Sequence, residues 1–229
     1  MQETIITMPA HATNTWSRAG QRIEYIVLHY VGAVSTAIDN GTYYGREANI
    51  GASAHYFVDE HHIVASVPED RSAGHCGVDY SGGRAPFWGK CRCKNSIGIE
   101  MCCKRGAAGN WYIEPATVAR TAALVRRLME KYGVDADHVV RHYDVCAKNC
   151  PAPWVEHPDQ WADFRRRITE EETEMKRYNT VAELPAPYRA DVQTLVDLGK
   201  LRGKDSGLDL TEDMARVLIV CGRMTGVLA

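Results

Sequence analysis

No stretch of this 229-residue chain strings together the roughly 18 apolar residues that a membrane-crossing helix requires. The first fourteen residues, MQETIITMPAHATN, also lack the basic start and apolar run of a secretory signal. Both absences predict synthesis in the cytosol and no membrane insertion. Positive charge is not in surplus either: 27 Lys and Arg face 29 Asp and Glu, a formal net charge of -2. That balance argues against a nucleic-acid partner, since phosphate binding usually shows as a basic face. With no internal repeat or low-complexity segment, repeat architectures drop out as well. What remains, 45% hydrophobic and 24% charged, is the make-up of an ordinary globular protein.

Cysteine, by contrast, is plentiful. Eight thiols in a chain without an export signal favour free thiols, metal ligands or catalytic thiols over a disulfide framework. Cys91, Cys93, Cys102 and Cys103 flank one apolar segment and are candidates for a second, structural zinc site, although their C-x-C and C-C spacings depart from the usual finger patterns.

Periodicity organises the first two thirds of the chain into alternating strands and helices. IEYIVLHYV (23 to 31) reads as a buried strand that carries His29 near its C-terminal end. A helix is predicted over 35 to 47 with Ser35 or Thr36 as its cap, then a hairpin from 53–59 and 62–68 around a polar DEH turn. SIGIEMCC (96 to 103) is a further strand with Glu100 embedded among apolar neighbours. Pro115 opens the clearest helix and Gly133 closes it. HVVRH (138 to 142) then delivers His142 into a loop, and a last amphipathic helix opens at Pro158.

The acidic run EEETE at 170–174 marks a boundary. It divides the chain into a main domain, 1–174, and a small, mainly helical module, 175–229. In the module, one helical pattern surrounds Asp191 to Leu198 and another follows a Thr211 cap with Glu212 and Asp213 in its first turn. Some 50 residues supply little core of their own, so the module is expected to pack on the main domain, on a partner or on a copy of itself.

The chemistry concentrates in VVRHYDVCAKNCP, 139 to 151. A catalytic zinc takes three protein ligands and leaves a fourth position for water, and His29, His142 and Cys150 satisfy that count. By spacing alone the assignment stays open: Cys146 is equally a candidate thiol, and Cys146 or Cys150 as nucleophile with His142 as base would make a cysteine hydrolase.

Five segments in order, IVLHYVG (26 to 32), SAHYFVDE (53 to 60), VPEDRSAGHCG (67 to 77), SIGIEM (96 to 101) and RHYDVCAKNCP (141 to 151), resemble the type 2 N-acetylmuramoyl-L-alanine amidases. These are zinc enzymes of bacterial peptidoglycan, related to phage amidase-type lysozymes and to the peptidoglycan recognition proteins. The resemblance spans about 20 to 168. It implies an α/β fold, a central mixed sheet flanked by helices with zinc in an open groove, and it places the zinc ligands on His29, His142 and Cys150.

It also implies roles. The reaction is hydrolysis of the amide between the lactyl group of N-acetylmuramic acid and L-alanine. Glu100 would take the proton of the attacking water and pass it on, Lys148 would stabilise the oxyanion, and His55 would stand beside the metal. His75 and Tyr56 are assigned to the substrate side, with Tyr56 also readable as a strand residue facing the core. Where relatives carry Trp-His-Ala-Gly this chain has Gly74-His75-Cys76-Gly77, so the groove lacks that tryptophan. Asp144 is expected either to orient a ligand histidine or to brace the loop. The missing signal suits an endolysin released to the cell wall after synthesis; a recycling amidase and a recognition module that binds muramyl peptides without cutting them are the alternatives. The small module would attach the enzyme to the wall or make a homodimer.

Overall fold

The computed structural model describes residues 4–170, 176–203 and 207–228. The chain divides into two compact units, Met1–Glu170 and Glu171–Ala229. Most of the acidic run predicted as the boundary lies outside the described residues.

Among the described residues, nine strands build the first unit: β1 (Ile5–Thr7), β2 (Thr15–Ser17), β3 (Tyr25–Val34), β4 (Tyr56–Val58), β5 (Ile63–Ala65), β6 (Arg71–Ala73), β7 (Ser96–Arg105), β8 (Trp111–Tyr112) and β9 (Val139–Arg141). The main sheet has the order β1-β5-β4-β7-β3-β9, with β8 pairing the far end of β7. It is mixed: β3 runs parallel to β7 and β9, β4 is parallel to β7, and β4 and β5 form the antiparallel hairpin expected from the sequence. Parallel pairs need crossovers, and the helices α1 (Ala37–Arg46) and α2 (Pro115–Tyr132) supply them. Shorter helices follow, α3 (His142–Cys146), α4 (Ala152–Glu156) and α5 (Pro158–Thr169).

Local chemistry sets the element ends. At α1, Thr36 Oγ1 accepts from the Asp39 amide and the Asp39 carboxylate accepts from the Thr36 amide, the reciprocal cap that satisfies two otherwise orphaned donors. Helix α2 begins at Pro115, whose missing N–H costs nothing there, and stops at Gly133, whose φ of 67° is left-handed.

Alternation along the strands sorts the two faces. Ile26 and Leu28 of β3, with Ile97, Ile99 and Met101 of β7, face Leu124, Val125 and Leu128 of α2 and Trp154 and Phe164 of α4 and α5. Tyr25 and Val27 turn to the other face, against Cys76, Cys91, Val140 and Val145. By the same period His29 and Glu100 fall on this second face.

In the second unit, helices α6 (Ala186–Asp197) and α7 (Glu212–Met224) follow the two predicted patterns, with the Met214 amide donating to the Thr211 cap. The unit has an internal core that the sequence reading did not anticipate. Tyr178, Leu184, Val192, Leu195, Leu210, Ala215, Ile219 and Leu228 are buried together, because an antiparallel bridge between Tyr178 and Leu210 closes the segment around the helix pair.

Candidate metal centre and its surroundings

His29 and Glu100 are direct cross-strand partners in the parallel pair β3–β7. On the other side of β3, strand β9 ends at Arg141 and the chain turns at once into α3, whose first residue is His142. That turn is braced by a charged fork: the Arg141 guanidinium donates to both oxygens of Asp144, at 3.0 and 2.8 Å, and to the Trp154 carbonyl. Of the two roles open to Asp144, the structure gives it the bracing of the loop. After α3 the backbone reverses at Ala147, φ 62°, and the Tyr143 amide donates to the Cys150 carbonyl at 2.8 Å.

These turns carry Cys150 Sγ to 3.7 Å from His29 Nδ1 and set the His29 and His142 rings 4.6 Å apart. One ligand atom from each of His29, His142 and Cys150 lies within 4.8 Å of the others. A tetrahedral zinc with Zn–S of about 2.3 Å and Zn–N of about 2.0–2.1 Å needs a sulfur to nitrogen edge of about 3.5 Å, close to what the side chains present. His142 is buried, yet neither ring nitrogen has a hydrogen-bond partner. Two orphaned nitrogens on one buried ring are costly unless an ion takes a lone pair, so the residues fit the metal.

Burial holds the His29 ring well below its ordinary pKa, helped by the neighbouring His142, and takes His142 down to about 4. Both rings are therefore neutral, the form that ligates metal. Burial pushes the Cys150 thiol up, and Glu100 adds to the effect. The Cys146 thiol is also raised by burial, and its S–H points at the His142 carbonyl. Neither is an activated nucleophile, which argues against a cysteine hydrolase.

Glu100 is part-buried, with one carboxylate oxygen lacking any partner, and burial raises its pKa to about 8 against the pull of Lys148. Arg141 is not its ion-pair partner, being committed to Asp144. Lys148 is exposed on the loop before Cys150, and its charge acts on Glu100, His142, His29 and Cys150 alike.

Three residues named for the site, Tyr56, His55 and His75, take places of their own, Tyr56 following its core-facing reading. Tyr56 is in the main core, on the face opposite His29, with its hydroxyl donating to Glu69. His55 is fully buried; its Nδ1 accepts from the Gly98 amide and its Nε2 meets the Arg71 carbonyl and Arg18. Its ring is separated from His29 by His75, 5.8 Å from one and 5.1 Å from the other. The tight turn into β4 puts this ring one step back from the metal group, so it does not stand beside the metal. His75 reaches His29 itself, Nδ1 to Nε2 at 3.1 Å, rather than an open groove wall.

The proposed grouping of Cys91, Cys93, Cys102 and Cys103 does not form. Cys102 lies by Asn40 and Cys103 by the Ala33 carbonyl, whereas Cys93 Sγ sits 3.8 Å from Cys76 Sγ, a neighbour that sequence spacing hid. Together with His75 these two thiols form a second group with metal-ligating atoms. Trp16, partly exposed, covers Gly74, where an added Cβ would meet its ring at 2.9 Å. The carboxylate of Glu69 was also missed; it accepts from Tyr56, Tyr132 and, at 2.5 Å, Lys131. Two cavities of about 550 and 430 Å³ border Glu69, Lys131 and Tyr132 and not the His29 group.

The family model for N-acetylmuramoyl-L-alanine amidase matches residues 19–153. The amidase BlyA of Bacillus subtilis (strain 168) is 34% identical over 168 residues, covering 68% of this chain and 44% of its own length. CwlL of Bacillus licheniformis is 32% identical over 169 residues, with the same shares of 68% and 44%. The chain thus spans less than half the length of these curated relatives. Among solved structures, PlyL superposes with a TM-score of 0.59 at 19% identity, over 76% of this chain and 100% of that one. The catalytic domain of XlyA gives 0.56 at 22% identity, over 72% and 99%. At such identities the structures show a shared fold.

Proposed function

From its membership of the N-acetylmuramoyl-L-alanine amidase family, to which the chain belongs through residues 19–153, we propose that it hydrolyses the amide between N-acetylmuramic acid and L-alanine in bacterial peptidoglycan. The observation that carries this reading is the buried His142 ring with both nitrogens unpartnered, within ligand reach of His29 and Cys150. These three side chains would hold Zn2+. Bound zinc supplies a Lewis acid and a water whose pKa falls to about 7.

The chain's own groups do the rest. Glu100, the cross-strand partner of His29 with one carboxylate oxygen free of partners, accepts in its ionised form the proton of the attacking water and returns it to the departing L-alanine nitrogen. A carbon–oxygen bond forms, the carbon–nitrogen bond breaks, and the new amine leaves with that proton. Lys148, a cation on the exposed rim, faces the charge that develops on the carbonyl oxygen. Arg141 and Asp144 hold the turn that carries His142.

We assign the role to lysis of the cell wall, as a phage or prophage endolysin or an autolysin, with release after synthesis in the cytosol. An endolysin of Bacillus subtilis, which shares the fold, supports that assignment. The second unit is read as an attachment module for the wall. The test is digestion of purified Gram-positive peptidoglycan, scoring new amino termini separately from reducing sugars. Release of L-alanine termini without reducing sugars is expected. Binding without any release would identify a recognition module instead.

A further inference from the structure

His29 Nε2 lies 3.1 Å from His75 Nδ1, His75 Nε2 lies 3.1 Å from Ser96 Oγ, and Ser96 Oγ lies 2.7 Å from the Arg92 carbonyl oxygen. The last contact fixes the direction of the whole series, because a carbonyl only accepts. Ser96 spends its single hydroxyl proton on Arg92 and so accepts from His75 Nε2–H. A neutral His75 protonated there has a bare Nδ1, which accepts from His29 Nε2–H. His29 is left with its lone pair on Nδ1, the atom that faces Cys150 Sγ.

We infer that His75 is a positioning residue: through this one-way series from the Arg92 carbonyl it fixes the tautomer and ring angle of His29, so that Nδ1 is presented ready to ligate. The inference rests on the zinc reading above and deepens it. The fold makes room for the arrangement at Gly98 on β7, where any Cβ would meet the His75 ring at 2.5 Å. A partner that orients the second nitrogen of a ligating histidine typically accounts for 10- to 100-fold in metal affinity.

The same direction of bonding decides the second thiol group. Cys76 and Cys93 can take a metal together with His75 only through an unprotonated ring nitrogen, and the series leaves none: Nδ1 is occupied by His29 and Nε2 carries the proton. Cys76 and Cys93 are therefore free thiols, and among the described residues of the first unit the His29, His142 and Cys150 group alone is left to hold a metal.

Long-range proton–nitrogen spectra of the metal-free full chain test the inference directly, with His29 assigned from a His29→Ala spectrum. The expected result is a His29 ring protonated at Nε2 and bare at Nδ1. Zinc titration should then show affinity falling about 10- to 100-fold in His75→Ala and largely recovered in His75→Asn, whose side-chain oxygen takes the place of Nδ1 as acceptor. Metal analysis should find one zinc per wild-type chain. A His29 ring protonated at Nδ1, unchanged affinity in His75→Ala, or a second zinc that disappears in Cys93→Ser would overturn the inference. If the wild type bound no zinc while His29 was protonated at Nε2, the metal reading would fail and the positioning series would stand.

Discussion

At the scale of single residues, the proposed site separates groups that would hold a metal from groups that would react. His29, His142 and Cys150 are nearly inaccessible, whereas Lys148 is exposed and its charge acts on all of them. Lys148→Ala should keep one zinc per chain and lose about 10²- to 10³-fold in turnover, the usual cost of removing a group that meets a developing oxyanion; turnover rates beside metal content check this. Glu69 gives the pH-dependent case. Burial raises its pKa, but hydrogen bonds from Lys131, Tyr132 and Tyr56 outweigh that and hold it below the ordinary carboxylate range. Its contribution to stability is thus present above the unfolded value of about 4.3 and is lost as pH falls through the lower native one. Glu69→Gln should destabilise by about 1–3 kcal/mol at pH 7 and by progressively less in acid, read from denaturant melts across that range. The three candidate ligands that the structure brings together, His29, His142 and Cys150, were legible in the sequence because each sits in a contiguous motif. Whether Tyr56 or His55 turns to the site was not decidable from the sequence because a one-residue step along a strand changes the face, and only the register of β4 on β7 puts Tyr56 in the core. The approach of Cys76 to Cys93, across a long irregular segment, left no periodic trace.

Elements show the same division. The long strands β3 and β7 and the helix α2 were readable from apolar period and caps, since burial and pattern reinforce one another there. Strands β1, β2, β6 and β8, at two or three residues, and the single-turn helices α3 and α4 carry too few positions for a period to appear. Yet α3 and its charged fork are what set His142 beside His29. Helix α2 holds the sheet from the opposite face, with Leu128 completely buried against it. Leu128→Ala should cost about 2–5 kcal/mol by leaving a cavity under β3 and β7, measured by equilibrium unfolding of the main unit.

At the scale of the whole molecule, the two units have separate cores. The main unit contains every group assigned to hydrolysis, and the second contains none. A chain ending at residue 170 should cleave a soluble muramyl peptide at a rate close to the full chain and bind intact walls more weakly, shown by sedimentation with wall fragments beside a soluble-substrate assay. Equal wall binding by both forms would remove the attachment role. Charge balance and the lack of an apolar span limited the partner class from the sequence alone, and among the described residues no helix is long and apolar enough to cross a membrane. The core of the second unit was not legible, because it depends on the Tyr178–Leu210 bridge between residues far apart in the chain.

The most direct test is the digestion of purified peptidoglycan by the full chain before and after chelation, with zinc content measured in the same samples. Release of L-alanine amino termini should disappear as zinc is removed and return when zinc is restored. Release that persists in a protein free of metal would contradict the assignment of His29, His142 and Cys150 as the centre of the reaction.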